Sequence, residues 1–170
     1  MSSLLLTPPC SVVCNVFIDG LVNELHGCRF QDFCADNNVK LALLFGSVVQ
    51  GKMRSDSDID LALLIEKSYF PRESFLRGRL KRRMIRELSA LLRTSLLDLV
   101  ILNQASPFLR HQVARACEVL YEKSPGDFAD YASLALRQHN DARLFYELEA
   151  AYLANSQKQS DEDKKLQAGE

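Results

Sequence analysis

Two short stretches decide the fold of this protein: VKLALLFGS at residues 39–47 and SDIDL at residues 57–61. Residues 39–45 form an almost continuous apolar run that is too short for an ordinary helix and is typical of a strand buried on both faces. A second apolar run, residues 59–65, follows the polar, turn-like segment 51–57. The two stretches therefore predict neighbouring buried strands joined by a polar loop.

Helices and further strands are predicted on either side of this pair. Apolar residues at helical spacing predict helices over residues 12–25, 29–35, 72–94 and 127 to about 153, and Ser106-Pro107 predicts the start of another that ends near Cys117. Short β-prone runs predict strands at 96–102 and, at the sheet edge, 119–121. We therefore predict an α/β (α+β) fold, in which a small mixed sheet is flanked by helices, with N-terminal and long C-terminal helices.

Length and composition indicate one domain. A chain of 170 residues, 47% of them hydrophobic, can bury a single core, and we assign that domain to residues 1–154, with its core at about 30–122. Residues 155–170 contain one leucine, no aromatic residue and many charges, so we predict a polar, flexible tail there.

Charge and cysteine content limit the classes of partner. A net charge of −1 gives no overall field for nucleic acid or an anionic membrane, and no apolar stretch approaches the ~20 residues that span a bilayer. The five cysteines are an odd number with no Cys-x-x-Cys pair, which favours reduced thiols in the cytoplasm. We expect no membrane association and no direct nucleic-acid binding.

Paired acids at the start of the second strand suggest a metal site. Residues i and i+2 of a strand point to one face, so Asp58 and Asp60 direct two carboxylates to the same place. Such like charges repel unless a cation lies between them. Mg²⁺ prefers oxygen ligands and is often bound by one or two carboxylates together with substrate phosphates.

Two further features complete this predicted nucleotide site. Gly46 allows close approach of the backbone to a phosphate, a helix starting after it would offer unpaired N–H groups, and the Ser47 hydroxyl can donate to a phosphate oxygen. Asp98 is an acid in the otherwise apolar run 96–102, where it can share the metal or accept a proton from an attacking hydroxyl.

The motifs LFGS at 44–47 and SDIDL at 57–61 resemble the nucleotidyltransferase (polymerase-beta-like) superfamily in its minimal form. The stretch LDLVILNQASPFLR at 97–110, followed by VLY at 119–121, is similar to the MntA-type antitoxins of HEPN–MNT toxin–antitoxin modules. Together the resemblances cover roughly residues 30–154. The sequence departs from the family at Gln50, where an arginine is frequent, and Lys52 or Arg54 could supply that positive charge.

The resemblance implies a nucleotidyltransferase fold and a Mg²⁺-dependent reaction with ATP. It implies that Gly46 and Ser47 hold the triphosphate and that Asp58, Asp60 and Asp98 are catalytic and metal-binding residues. An MntA-type protein would transfer AMP from ATP to a tyrosine of a HEPN ribonuclease toxin and thereby act as its antitoxin. Two alternatives stay open: nucleotide transfer to a small molecule such as an aminoglycoside, and neutralisation of the toxin by binding alone.

Two other groups of residues have simpler interpretations. The predicted helix 72–94 carries a basic cluster that we interpret as a solvated helix face, although a patch for an acidic protein, RNA or phosphate is the alternative; the cluster comprises Arg77, Arg79, Lys81, Arg82, Arg83 and Arg86. The three histidines, His26, His111 and His139, have neither metal-ligand spacing nor a paired nucleophile, so we predict that none is catalytic.

Overall fold

The structure, a computed structural model, describes residue 20, residues 23–51 and residues 58–167, with the side chains of residues 146, 150, 151 and 153–167 excepted. Its elements, in chain order, are α1 (Cys28–Asp36), β1 (Val39–Phe45), β2 (Ile59–Ile65), α2 (Ser74–Leu92), β3 (Leu97–Ile101), a 3₁₀ turn (Leu102–Gln104), α3 (Pro107–Arg115), β4 (Cys117–Glu122) and α4 (Asp127–Gln167). Of the helix predicted at 12–25, residues 20 and 23–25 are helical and the remainder lies outside the described residues.

The four strands form one mixed sheet in the order β3-β2-β1-β4, so the predicted mixed sheet and the edge position of its last strand are confirmed. Strand β1 pairs antiparallel with both β2 and β4, whereas β2 and β3 are parallel. The parallel pair requires a crossover, and α2 supplies it. This arrangement brings the end of β1 and the starts of β2 and β3 to one edge of the sheet.

Helices cover both faces of the sheet. Alternate residues along β2 divide between two buried clusters: Leu61 and Leu63 pack with Met84 and Leu88 of α2, whereas Ala62 packs with residues of α3 and α4. The near-continuous apolar character of the two central strands follows from this burial on both sides. One face is therefore the α1/α2 face and the other is the α3/α4 face.

Specific side chains fix where β3 ends and α3 begins. The predicted third strand is shorter than expected, because Leu102 starts a 3₁₀ turn in which the Asn103 side chain accepts from Ile65 N at 2.9 Å and donates to Ile65 O at 2.7 Å. Ser106 caps α3 by accepting a hydrogen bond from Leu109 N at 3.2 Å, with Pro107 in the first turn, as predicted.

The last helix is longer than the sequence indicates. We predicted an end near Leu153, but α4 continues to Gln167, so residues 155–167 are helical in the structure. Good helix formers such as Lys, Gln and Glu continue a helix without needing a buried face, so the lack of apolar residues does not end this one. The flexibility of 155–170 and the domain boundary at 154 stay predictions. Within the described ranges, no helix combines the length and apolarity needed to cross a membrane.

Candidate active site

The predicted acids lie at one edge of the sheet. Asp60 and Asp98 are register partners on the parallel strands β2 and β3, and Asp58 comes immediately before β2. Because Leu61 and Leu99 point to the α1/α2 face, alternation places Asp60 and Asp98 on the α3/α4 face. The topology thus brings together residues that are far apart in the sequence.

The surroundings of Asp60, including the other two acids, shift its pKa. Burial is the largest influence that raises its pKa above the ordinary value of 3.8, and the negative charge of Asp98 is the next. A hydrogen bond donated by the Ser47 backbone N–H lowers the pKa, whereas the charge of Asp58 raises it. The net shift is upward, so the ionised form of Asp60 is less favourable here than in water and would gain from a cation nearby.

Gly46 is held against Asp60. Its φ is +78°, in the left-handed region that favours glycine, and Phe45 before it is the register partner of Asp60. A Cβ at position 46 would overlap the Oδ2 and Cγ atoms of Asp60, well inside van der Waals contact. The glycine is therefore required so that the Asp60 carboxylate can lie over the end of β1.

The segment after Gly46 differs from the prediction. Residues 46–51 form turns, with Gln50 N donating to Gly46 O at 3.3 Å and Gly51 N donating to Val48 O at 3.2 Å, and not the start of a helix. The N–H of Ser47 is directed to Asp60. The glycine-serine pair thus positions a carboxylate, a role that sequence reasoning missed because the donor is a backbone atom without a residue-specific signal.

Two residues considered for the phosphate charge, Lys52 and Arg54, lie outside the described residues. Ser47 is half-buried at the same edge, and Gln50 is exposed. The predicted contribution of Gly46 and Ser47 to triphosphate binding stays a prediction.

The donor set suits a hard divalent cation. All three candidate ligands are carboxylates. The pKa of Asp60 is raised first by burial and then by the negative charges of Asp98 and Asp58, and a cation nearby would offset both effects. In the described ranges, however, no three His, Cys, Asp or Glu side chains lie close enough together to hold a metal ion. The three acids converge on one edge without closing into a three-ligand cluster, and Asp58 and Asp98 are exposed.

The histidines do not join this group. His26 Nε2 lies 2.9 Å from Glu118 Oε1, at the surface. His111 and His139 stack on each other with ring centroids 4.2 Å apart, between α3 and α4. Burial lowers the pKa of His111, with His139 and Arg115 adding to the effect. Sequence reasoning treated the two as unrelated residues, and only the packing of α3 on α4 brings them together.

The sequence pattern of the family described as Polymerase beta, Nucleotidyltransferase matches residues 29–126, which include every acid and the glycine described above. This chain belongs to that nucleotidyltransferase family. Residues 29–126 contain the four strands of the described sheet, so the family assignment and the mixed α+β sheet agree. A comparison with curated proteins gives no match.

Several solved structures share this nucleotidyltransferase fold. One, a crystal structure of a toxin–antitoxin with AMP-PNP, is 26% identical with a TM-score of 0.59 and covers 77% of this chain and 98% of its own. Another, a tri-AMPylated Shewanella oneidensis HEPN toxin in complex with MNT antitoxin, is 23% identical with a TM-score of 0.55 and covers 79% and 98%. A mutant of the toxin–antitoxin MntA–HpeT gives 23% identity, a TM-score of 0.57 and coverages of 74% and 95%. The predicted resemblance to MntA-type antitoxins is thus confirmed at the level of the fold.

Proposed function

We propose that this nucleotidyltransferase is an antitoxin that transfers AMP from ATP to a tyrosine hydroxyl of a partner HEPN-type toxin in the cytoplasm. The observation that carries the proposal is the register pairing of Asp60 with Asp98, beside Asp58 and over Gly46. The similar toxin–antitoxin structure with AMP-PNP supports an adenine nucleotide as the substrate and a toxin as the partner.

The reaction is an in-line displacement at phosphorus. The tyrosine oxygen bonds to the α-phosphorus of ATP while the bond from that phosphorus to the bridging oxygen breaks, so pyrophosphate leaves with the bond's electron pair. The tyrosine proton passes to a carboxylate, and the product is a tyrosine–AMP phosphodiester. Asp98 is the natural acceptor, because it is exposed at the sheet edge beside Asp60 and can reach an incoming hydroxyl.

Asp60 and Asp58 have a different role in this scheme. They would hold Mg²⁺ together with the phosphates of ATP, since one or two carboxylates are usual for this ion, and the ion, when bound, neutralises the charge that develops on the phosphate oxygens. The Ser47 N–H fixes the Asp60 carboxylate, and Gly46 leaves room for it. The Ser47 hydroxyl would donate to a phosphate oxygen of the triphosphate.

A transfer assay with separated components tests the proposal. The purified chain, α-³²P-labelled ATP, Mg²⁺ and a candidate HEPN protein encoded next to it should yield a labelled HEPN protein. A tyrosine-to-phenylalanine series in the acceptor should remove the label, and EDTA should reduce it to background. If the chain binds ATP normally and leaves the HEPN protein unlabelled, the proposed activity is wrong.

One variant separates catalysis from the alternatives. Asp58→Ala/Asp60→Ala should lose labelling by at least about 10³-fold, as expected when a metal site is removed from phosphoryl transfer. If this double variant still suppresses the toxin fully in cells, neutralisation by binding alone is the better explanation. Labelled small molecules such as aminoglycosides, in place of labelled protein, would instead identify the small-molecule transferase.

A further inference from the structure

A groove along α2 has no role in the proposed catalytic site. It has a volume of about 500 Å³ and combines an apolar floor with an arginine rim; its lining is Pro71, Leu76, Arg79, Leu80, Arg82, Arg83 and Arg86. Met84 and Leu88, one and two turns beyond Leu80 on the same stripe of α2, pack on the α1/α2 face of the sheet, and Leu80 borders that cluster. Asp60 and Asp98 are on the α3/α4 face, so the groove and the catalytic edge lie on opposite sides of the sheet.

The charge of this helix is concentrated and mostly uncompensated. Between Ser74 and Leu92 there are six basic residues and one acidic residue, Glu87, although the whole chain has a net charge of −1. Positions 79, 82, 83 and 86 are three or four residues apart and therefore share one helix face. Like charges at this spacing destabilise an isolated helix, so these four arginines oppose the helix that carries them.

Some of the basic side chains are already engaged within the protein. Arg77 donates to Pro71 O at 3.0 Å, and Arg83 donates to Asn37 Oδ1 at 2.7 Å and lies 3.6 Å from Glu87. By contrast, Arg82 and Arg86 are exposed and form no ion pair within the part of the chain that the structure describes. Two unpaired guanidinium groups thus border the groove.

The apolar residues at the base of the groove indicate which kind of partner would fit it. Leu76 is 39% exposed, and Leu80 is half-buried beside it. The lining contains no aromatic residue, and the neighbouring exposed Phe75 already has the Arg79 guanidinium over its ring, 5.9 Å from the centroid. Guanidinium groups bind carboxylates with two parallel hydrogen bonds. A ligand that matches both features has leucine-like side chains on one stripe and carboxylates beside them.

We propose that the α2 groove is a docking site for an acidic amphipathic helix of a partner protein. Leucine-sized side chains of that helix would cover Leu76 and Leu80, and its carboxylates would pair with Arg82 and Arg86. A helix that binds here leaves the catalytic edge open. This inference does not depend on the proposed AMP transfer.

Fluorescence anisotropy with designed probes tests it. The probe is a labelled helical peptide of about 18 residues, long enough at 1.5 Å per residue to follow the groove, with Leu on one face and Glu flanking it. Two comparison probes are a scrambled peptide of the same composition and an oligouridine of similar charge. The full-length chain should bind the amphipathic peptide at least about tenfold more tightly than either comparison probe, with weaker binding at high salt.

Matched variants locate the site. R82E/R86E should weaken peptide binding at least about tenfold, whereas K67E/R137E, which changes the charge equally at exposed positions elsewhere, should change it by less than about twofold. Leu76→Ser should weaken binding several-fold without altering the charge. Circular dichroism and thermal melts check that each variant is folded.

The other results overturn the proposal. Tighter binding of oligouridine through the same arginines would make the groove a nucleic-acid site. Equal binding of the scrambled peptide, or equal losses in both double variants, would reduce it to a diffuse charge effect. Absence of peptide binding would remove the docking site. The assay contains no nucleotide and no transfer step, so each of these results is independent of whether AMP transfer occurs.

Discussion

At the scale of single residues, the proposed chemistry depends on the lack of a side chain at Gly46, which leaves room for the Asp60 carboxylate. Gly46→Ala would place a methyl group where the Asp60 carboxylate lies, at a φ of +78°. We expect nucleotide transfer to fall at least about 100-fold, because a displacement of about 1 Å in a positioned group can have that effect. Radiolabel transfer at saturating ATP measures the change.

Gly51→Ala is the matched control for this substitution. Gly51 also has a positive φ, +65°, but no described atom lies within 4 Å of a Cβ built there. Both variants carry a backbone penalty of about 1 kcal/mol, and only the first should lose most of its activity. Equal loss of activity in both would mean that backbone strain, not overlap with Asp60, is the cause.

Asp60 gives a prediction in which stability and activity change in opposite directions. Burial and the charges of Asp98 and Asp58 raise the pKa of Asp60 above 3.8, so between that value and the folded-state pKa the folded protein binds more protons than the unfolded one. The contribution of Asp60 to stability therefore decreases as pH rises through this window and stays unfavourable above it. Asp60→Asn should remove transfer yet raise the melting temperature of the metal-free protein at neutral pH.

Thermal melts in EDTA from pH 3.5 to 7.5 provide the measurement for Asp60→Asn. The difference in melting temperature between variant and wild type should grow with pH. A control at Asp141, an exposed acid in the middle of α4 with no acidic residue three or four positions away, should not show this growth when it is changed to Asn. A variant that is less stable than wild type at neutral pH would contradict the electrostatic interpretation of this site.

At the scale of elements, the contact of α3 with α4 contains a pH-sensitive pair. His111 Nδ1 is buried without a hydrogen-bond partner, and its ring stacks on His139, with Arg115 nearby on α3. Burial and these neighbours lower the pKa of His111 below 6.5. In the unfolded chain this histidine takes up a proton more readily, so its contribution to stability is complete above about pH 6.5 and is lost as pH falls toward the folded-state pKa.

His111→Phe keeps an aromatic ring against His139 but cannot take up a proton. We expect the melting temperature of wild type to fall between pH 7.5 and 5.5 and the decrease to be smaller in this variant. Differential scanning fluorimetry at closely spaced pH values measures both slopes. Parallel slopes would show that the α3–α4 contact does not sense pH through His111.

At the scale of the whole molecule, the end of α4 should contribute little to folding. Exposed positions dominate the described part of this helix beyond Asn140, including Phe145 at 74% and Leu148 at 68%, and residues 155–170 contain one leucine and no aromatic residue. Deletion of residues 155–170 should therefore change the free energy of unfolding by less than about 1 kcal/mol in urea titrations. A clearly larger loss would show that the domain extends past residue 154.

Much of this protein follows from its sequence. The limits of β1 and β2 can be predicted from apolar runs, and the start of α3 from Ser106-Pro107, because each signal is local: strand burial, a capping oxygen and a fixed φ. The three candidate acids can be identified from sequence for a similar reason. Each lies in or beside an apolar run, where a charged residue is unusual, and the immediate neighbours are enough to show this.

Only the tertiary structure decided how these pieces meet. The pairing of Asp60 with Asp98 depends on β2 and β3 being parallel neighbours, and the true use of Gly46 depends on the Asp60 carboxylate lying over it. The stack of His111 on His139 depends on the packing of α3 against α4. Contacts between distant segments are fixed by the burial and hydrogen bonding of the whole chain, and no short window of sequence contains that information.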